Sequence, residues 1–216
     1  MTEPDAAELR VLGALIEKQR TTPDAYPLSL NALRLACNQA TGREPVVDYD
    51  EATVREAIAR LVRRGWARLA SGPGSRATKY RHLLDEELAL SGAELSLLAV
   101  LMLRGAQTPG ELKQRTERYS GGFADLAAVN EVLERLIGRG FVIRHPRRPG
   151  QKEERYEQVL GGDDAVEIVP AEPAAVDGEE PPKVSVAEET NRLDRLEADL
   201  LDLKSEITKL REALGD

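Results

Sequence analysis

The sequence predicts a mainly α protein with small β-hairpins, and three observations carry that expectation. The 216 residues are 41% hydrophobic but only 4% aromatic, with Leu, Ala and Val at the apolar positions, which suits helix packing rather than an all-β sandwich. The chain also repeats itself without a gap, since Ala52 to Trp66 aligns with Ala127 to Phe141, and a repeat defines architecture before single elements do. Charge is segregated as well: residues 1–160 hold 24 Lys and Arg against 22 Asp and Glu, while 161–216 hold 6 against 16. The net charge of −8 therefore belongs to the tail and does not exclude nucleic acid as a partner of the rest.

The repeat extends beyond that core. Pro73-Gly74 matches Pro149-Gly150, and Tyr80 to Leu84 matches Tyr156 to Leu160. Upstream, Glu8-Leu9 and Thr22-Pro23 recur as Glu94-Leu95 and Thr108-Pro109. Two domains are expected, 1–86 and 87–160.

Each opens on a helix with one apolar face, Leu9, Leu12, Leu15 and Ile16 or Leu95, Leu98, Leu101 and Met102, so a helix packed on one side is expected. The Thr-Pro pair then breaks it. Ser29 is the expected N-cap of a second helix over Leu30 to Asn38; in the second copy Thr108 caps a helix with Pro109 at its first position and Glu111 in its first turn. A third helix is expected from Glu51 to Arg64, capped by Asp50 and burying Val54, Ile58, Leu61 and Val62; its counterpart buries Val129, Leu133, Leu136 and Ile137. Gly65 and Gly140 fall where a left-handed C-terminal residue belongs. Short strands follow, Trp66 to Leu69 and Phe141 to Arg144, each returning after a Pro/Gly turn through Thr78 to Leu83 or Arg155 to Leu160. Three helices followed by a hairpin is the winged helix-turn-helix pattern, here in tandem.

From Gly161 the composition turns acidic and Pro-rich, so 161–185 is expected to be a disordered linker. Residues 186–216 form a heptad with Leu193, Leu196, Leu200, Leu203, Ile207, Leu210 and Leu214 along one seam. The flanking pairs Arg192 with Glu197, Asp199 with Lys204 and Glu206 with Arg211 are opposite in sign, as a parallel two-stranded coiled coil requires; the alternative is an amphipathic helix folding back onto its own winged domains.

Several stretches resemble the YceH-like family of bacterial proteins. Thr22 to Leu33, Ala36-Cys37-Asn38-Gln39 and Arg43 to Val46 are similar to its first signature, and Arg104 to Leu112 with Pro146 to Gly150 and Arg155-Tyr156 to its second. The resemblance implies a tandem winged-helix protein and assigns no biochemical role. Gly138 departs from the family's pattern, which has a polar or charged residue there, and the tail from Gly161 lies beyond the motif-bearing region.

In a winged helix that reads DNA, the third helix enters the major groove and the wing follows the backbone. Thr53, Arg55, Arg60, Arg63 and Arg64 lie off the apolar stripe of the first such helix, and its wing adds Arg76, Lys79 and Arg81. Arg55, near the helix start, is best placed for a base edge. The bland alternative is that Arg60, Arg63 and Arg64 complement the helix C-terminal dipole. The second helix offers Asn130, Arg135 and Arg139 beside Glu131 and Glu134. Its wing carries Arg147, Arg148, Lys152 and Arg155 against Glu153 and Glu154, which suits phosphate tracking. Asp48, Asp50 and Glu51 stand against DNA at the start of the first third helix. The expected partner is double-stranded DNA bound by a homodimer; the alternative is a scaffold that binds protein. For the signature around Asn38 and Arg43, the expectation is structural: Asn38 and Gln39 cap the second helix, and Arg43 pairs with Glu44 or Asp48.

No catalytic constellation is apparent. His82 and His145 lack any metal or triad spacing, and Cys37 sits in an apolar helix as a structural thiol. The Gly-rich stretch from Ser71 to Ser75 lacks the Lys and helix of a phosphate loop. Hence no enzyme, cofactor or metal is expected. The start MTEPDAAELR has no export pattern, one cysteine excludes a disulfide framework, and the apolar run Leu95 to Leu103 is too short for a membrane span. A cytoplasmic protein is expected.

Overall fold

The computed structural model describes residues 3–70, 78–119, 121–147 and 153–161, all within one compact unit, Met1–Ile168. Arg76, Arg148, Lys152, the linker beyond Gly161 and the seam from Leu193 to Leu214 lie outside the described residues.

The described chain is mainly helical with two small antiparallel sheets. Helices α1 (Ala6–Thr21), α2 (Leu30–Cys37) and α3 (Glu51–Arg63) precede strands β2 (Ala67–Leu69) and β3 (Lys79–His82), and a two-residue strand β1 (Leu28–Ser29) lies before α2. After the short α4 (Leu84–Glu87) the order recurs as α5 (Gly92–Arg104), α6 (Pro109–Thr116), α7 (Leu126–Gly138), β4 (Val142–His145) and β5 (Arg155–Gln158).

Local chemistry sets the helix ends. Asp50 accepts from the Thr53 amide at 2.8 Å, Ser29 from that of Ala32 at 3.3 Å, and Thr108 forms a reciprocal capping box with Glu111, each satisfying amides that a helix start leaves open. Past the C-terminal ends, Gly65 and Gly140 take φ of +83° and +72°, a conformation that costs glycine little. Trp66 and Phe141 then turn back, their amides donating to Leu61 and Leu136.

The first helices differ from the one-sided expectation. Every residue from Glu8 to Glu17 in α1 and from Glu94 to Leu103 in α5 is buried. Each packs on its own α2–α3 or α6–α7 pair and also on the other copy's first helix, so each needs two apolar faces. The two backbones approach closely at Gly13, where a side chain would meet Leu103 Cγ at 3.0 Å and Met102 Cβ at 3.1 Å. The copies thus share one continuous core.

The sheets preserve the duplication too. In the first, β3 lies between β1 and β2, with Leu28 opposite Tyr80 and Leu69 opposite the same tyrosine. In the second, β4 pairs with β5, and a single bridge from Gln107 to Tyr156 stands where the first copy has β1.

Candidate nucleic-acid interface

Helix α3 buries Val54, Ala57, Ile58 and Leu61, which turns Arg55 and Arg63 to solvent on one stripe with the small Ala59 between them. Arg55 forms an i, i+4 ion pair with Glu51 in which both side chains are exposed; such pairs contribute only tenths of a kcal/mol and yield easily to a phosphate. Arg63 is exposed and makes no ion pair among the described residues. Thr53 is half-buried in the first turn, its amide engaged by Asp50.

Arg60 is turned elsewhere. Its Nε donates to Glu8 Oε2 at 3.0 Å and its Nη2 to Asp5 Oδ2 at 2.5 Å, so it fastens α3 to the N-terminus of α1. Arg64 joins from 3.7 Å and stacks over Trp66 at 5.3 Å. The second copy repeats this: Arg139 reaches Glu94 at 3.3 Å and lies over Phe141 at 4.8 Å. Neither the groove-facing reading nor the dipole reading of Arg60 and Arg64 anticipates these partners, which lie 52 and 56 residues upstream.

On the first hairpin, Arg81 pairs with Glu86, Lys79 is half-buried on β3, and Arg68 on β2 is exposed without an ion pair among the described residues. Arg68 is not among the residues the sequence singles out; the apolar–polar–apolar order Ala67-Arg68-Leu69 is the signal that could have found it, although Leu69 is exposed as well. Arg55 and Arg63 are therefore exposed on α3 and Arg68 on the strand that follows it, whereas Arg60 is turned to the N-terminus of α1.

The corresponding side of the second copy is mixed. A groove of about 380 Å³ is lined by Asn130 and Glu134 of α7, Arg144 and Tyr156 of the hairpin, Arg147, Glu153, Glu154 and Pro109. Arg144 is held by Glu134 and lies 3.8 Å from Glu154. Arg147 is exposed, whereas Arg155 turns inward, donating to the Ala106 carbonyl at 2.8 Å and to Glu111 at 3.2 Å. Among the groove's charged residues the acids outnumber the arginines.

The Asn38–Arg43 signature is structural, but with different partners. Arg43 does not pair with Glu44 or Asp48; its buried guanidinium holds Glu17 and donates to the Ala36 and Gly42 carbonyls and to Gln39 Oε1. Asn38 is the C-cap residue of α2, its amide donating to the Arg34 carbonyl at 3.1 Å, while its side chain reaches further: Oδ1 accepts from the Tyr49 amide at 3.0 Å and Nδ2 donates to the Tyr49 carbonyl at 2.8 Å. Both X-Pro bonds of the signature, Tyr26-Pro27 and Glu44-Pro45, are cis.

Cys37 and the two histidines are each held by their surroundings. Cys37 is fully buried, and burial pushes its thiol up to about 12, so it is no nucleophile at neutral pH. His82 is buried; desolvation lowers its pKa to about 4, while its Nε2 lies 2.6 Å from Gln19 Oε1 and its amide donates to the Tyr26 hydroxyl. His145 faces Glu157 across the second hairpin at 2.6 Å. Among the described residues no group of three or more His, Cys, Asp and Glu could hold a metal ion, and no helix is long and apolar enough to cross a membrane.

These features define a mainly helical protein made of two copies of a helix–helix–helix–hairpin unit. Residues 5–151 match the family described as "Protein of unknown function, DUF480". The UPF0502 protein of Geotalea uraniireducens (strain Rf4) is 46% identical, over 92% of this chain and 89% of its own length. The UPF0502 proteins YceH of Salmonella schwarzengrund (strain CVM19633) and Salmonella paratyphi B are 41% and 40% identical, each over 99% of both chains. The chain belongs to this family of unknown function, and the Salmonella relatives align with its tail as well as its paired units.

Proposed function

We propose that the two units are winged helix-turn-helix domains and that the protein is a cytoplasmic, DNA-binding regulator that dimerises through its tail. The observation carrying this reading is the exposed side of the first unit. There α3 presents Arg55 and Arg63 around Ala59, and the adjoining strand presents Arg68, with no buried partner holding any of the three. A third helix so oriented fits the major groove, and Arg55 at its first turns is within reach of a guanine edge. The heptad from Leu193 to Leu214 supports a dimer, in which two weak readers gain from effective concentration. No catalytic role is proposed.

A second reading has its own observation. The acid-rich groove of the second unit disfavours phosphate and suits a basic protein segment, as in a tandem scaffold without DNA binding. Selection from a pool of random duplexes by the full chain separates the two. The DNA reading expects an enriched motif, lost on Arg55→Ala, whereas the scaffold reading expects no enrichment.

A further inference from the structure

Where the two copies meet, positive charge exceeds negative. Arg104, the last residue of α5, sits half-buried; burial and the neighbouring Arg115, Arg118 and Arg43 charges all press its pKa down, and only Glu17 opposes them. The nearby acids are already engaged. Glu17 is buried and accepts from Arg43 and Arg118, one from each copy, and Glu111 is shared by Arg115 and Arg155. The Arg104 guanidinium makes no hydrogen bond or ion pair among the described residues.

Other donors are stranded in the same place. Among the described residues, Arg115 Nη1 has no hydrogen-bond partner, and the buried Tyr119 hydroxyl, beside the Arg118 guanidinium, finds no acceptor. Tyr119 is only 2% exposed; burial and the Glu17 charge push its pKa up to about 12, so it stays a neutral donor. A buried donor left unpaired costs about 1–3 kcal/mol, which an acceptor at this point would recover.

Gly42 gives the place its shape. It has φ of +74°, and a side chain there would meet Arg104 Nη2 at 3.3 Å and Arg118 Nη2 at 3.6 Å. Two guanidiniums of the second copy thus converge on bare backbone of the first, an approach that the missing side chain of Gly42 permits.

We propose that this junction binds a phosphate dianion, free or as the terminal monoester of a small molecule, held by Arg104 and Arg118 over Gly42 with the Tyr119 hydroxyl as a neutral donor. Charge selects the dianion. Five guanidiniums, Arg43, Arg104, Arg115, Arg118 and Arg155, face two carboxylates, Glu17 and Glu111; a dianion offsets two of the three excess charges, and a carboxylate monoanion only one. Guanidiniums suit tetrahedral oxyanions because their forked donors meet two oxygens at once. The ligand would bridge the two copies and stabilise the fold by mass action. None of the holding groups lies on α3 or the hairpins, so this site stands or falls apart from the DNA reading.

The test is thermal unfolding of the full chain at about pH 8, where phosphate monoesters are dianions. Inorganic phosphate, a nucleoside monophosphate and acetate are titrated against chloride at equal ionic strength. The expected result is a saturable rise in Tm with either phosphate and none with acetate. A larger rise with the nucleotide identifies an ester ligand, and equal rises identify free phosphate. Arg104→Gln is expected to weaken the apparent phosphate affinity by about tenfold or more, equivalent to about 1.4 kcal/mol, while leaving the ligand-free Tm unchanged or raised, because it relieves repulsion among the arginines. Gly42→Asp, whose carboxylate would itself pair with the Arg104 and Arg118 guanidiniums and whose side chain tolerates the left-handed conformation, is expected to lose the response independently. The absence of a phosphate-specific rise, an undiminished response in both variants, or a lowered ligand-free Tm in Arg104→Gln would overturn the proposal.

Discussion

Glu17 is buried in α1 and holds two guanidiniums, Arg43 from its own copy and Arg118 from the other. Removing its charge leaves Arg43 buried without a counterion, and breaking such a pair costs about 3–5 kcal/mol. Glu17→Gln is expected to lose that much in urea unfolding. His82 behaves oppositely to a stabilising ion pair. Its folded pKa of about 4 lies below the unfolded value near 6.5, so between the two the unfolded state binds more protons and stability rises with pH. Stability is therefore full above about pH 6.5 and falls as the pH drops toward 4; His82→Gln is expected to flatten that fall in urea titrations at stepped pH. Neither role was readable in the sequence. Glu17 lies 26 residues from Arg43 and 101 from Arg118, and spacing says nothing about partners so distant.

Elements were more legible, because their signals are local. The caps Asp50, Ser29 and Thr108 and the left-handed Gly65 and Gly140 act within a few residues of where they sit, and each falls where expected. Strand β1 escaped notice because two residues carry no alternation, and its pairing is made by Tyr80, 52 residues away. The all-round burial of α1 escaped because one face, with Gly13 and Ala14, is small rather than strongly apolar. Helix α7 offers a test at this scale. Gly138 is its last residue, lacks a left-handed φ, and a side chain there meets nothing within 4 Å. Gly138→Ala is expected to stabilise the protein by about 0.5–1 kcal/mol, read as a shifted urea midpoint with an unchanged m value.

Across the whole molecule, the duplication that Ala52 to Trp66 and Ala127 to Phe141 announce reaches down to matched ion pairs, Arg64 with Glu8 and Arg139 with Glu94. The exposed surfaces have nonetheless diverged. The first unit presents Arg55, Arg63 and Arg68 without buried partners, and the groove of the second is lined by three glutamates and two arginines, so the proposed DNA contact falls on the first unit's α3. That assignment makes the binding electrostatic in large part, and each phosphate contact releases counterions. The most direct measurement is the affinity of the full chain for duplex DNA as a function of salt concentration. The account expects log Kd to rise with log salt at a slope of about 3 or more, falling by about one unit when Arg63 or Arg68 is replaced by Gln. No binding at low salt, or a slope indifferent to both substitutions, would contradict it.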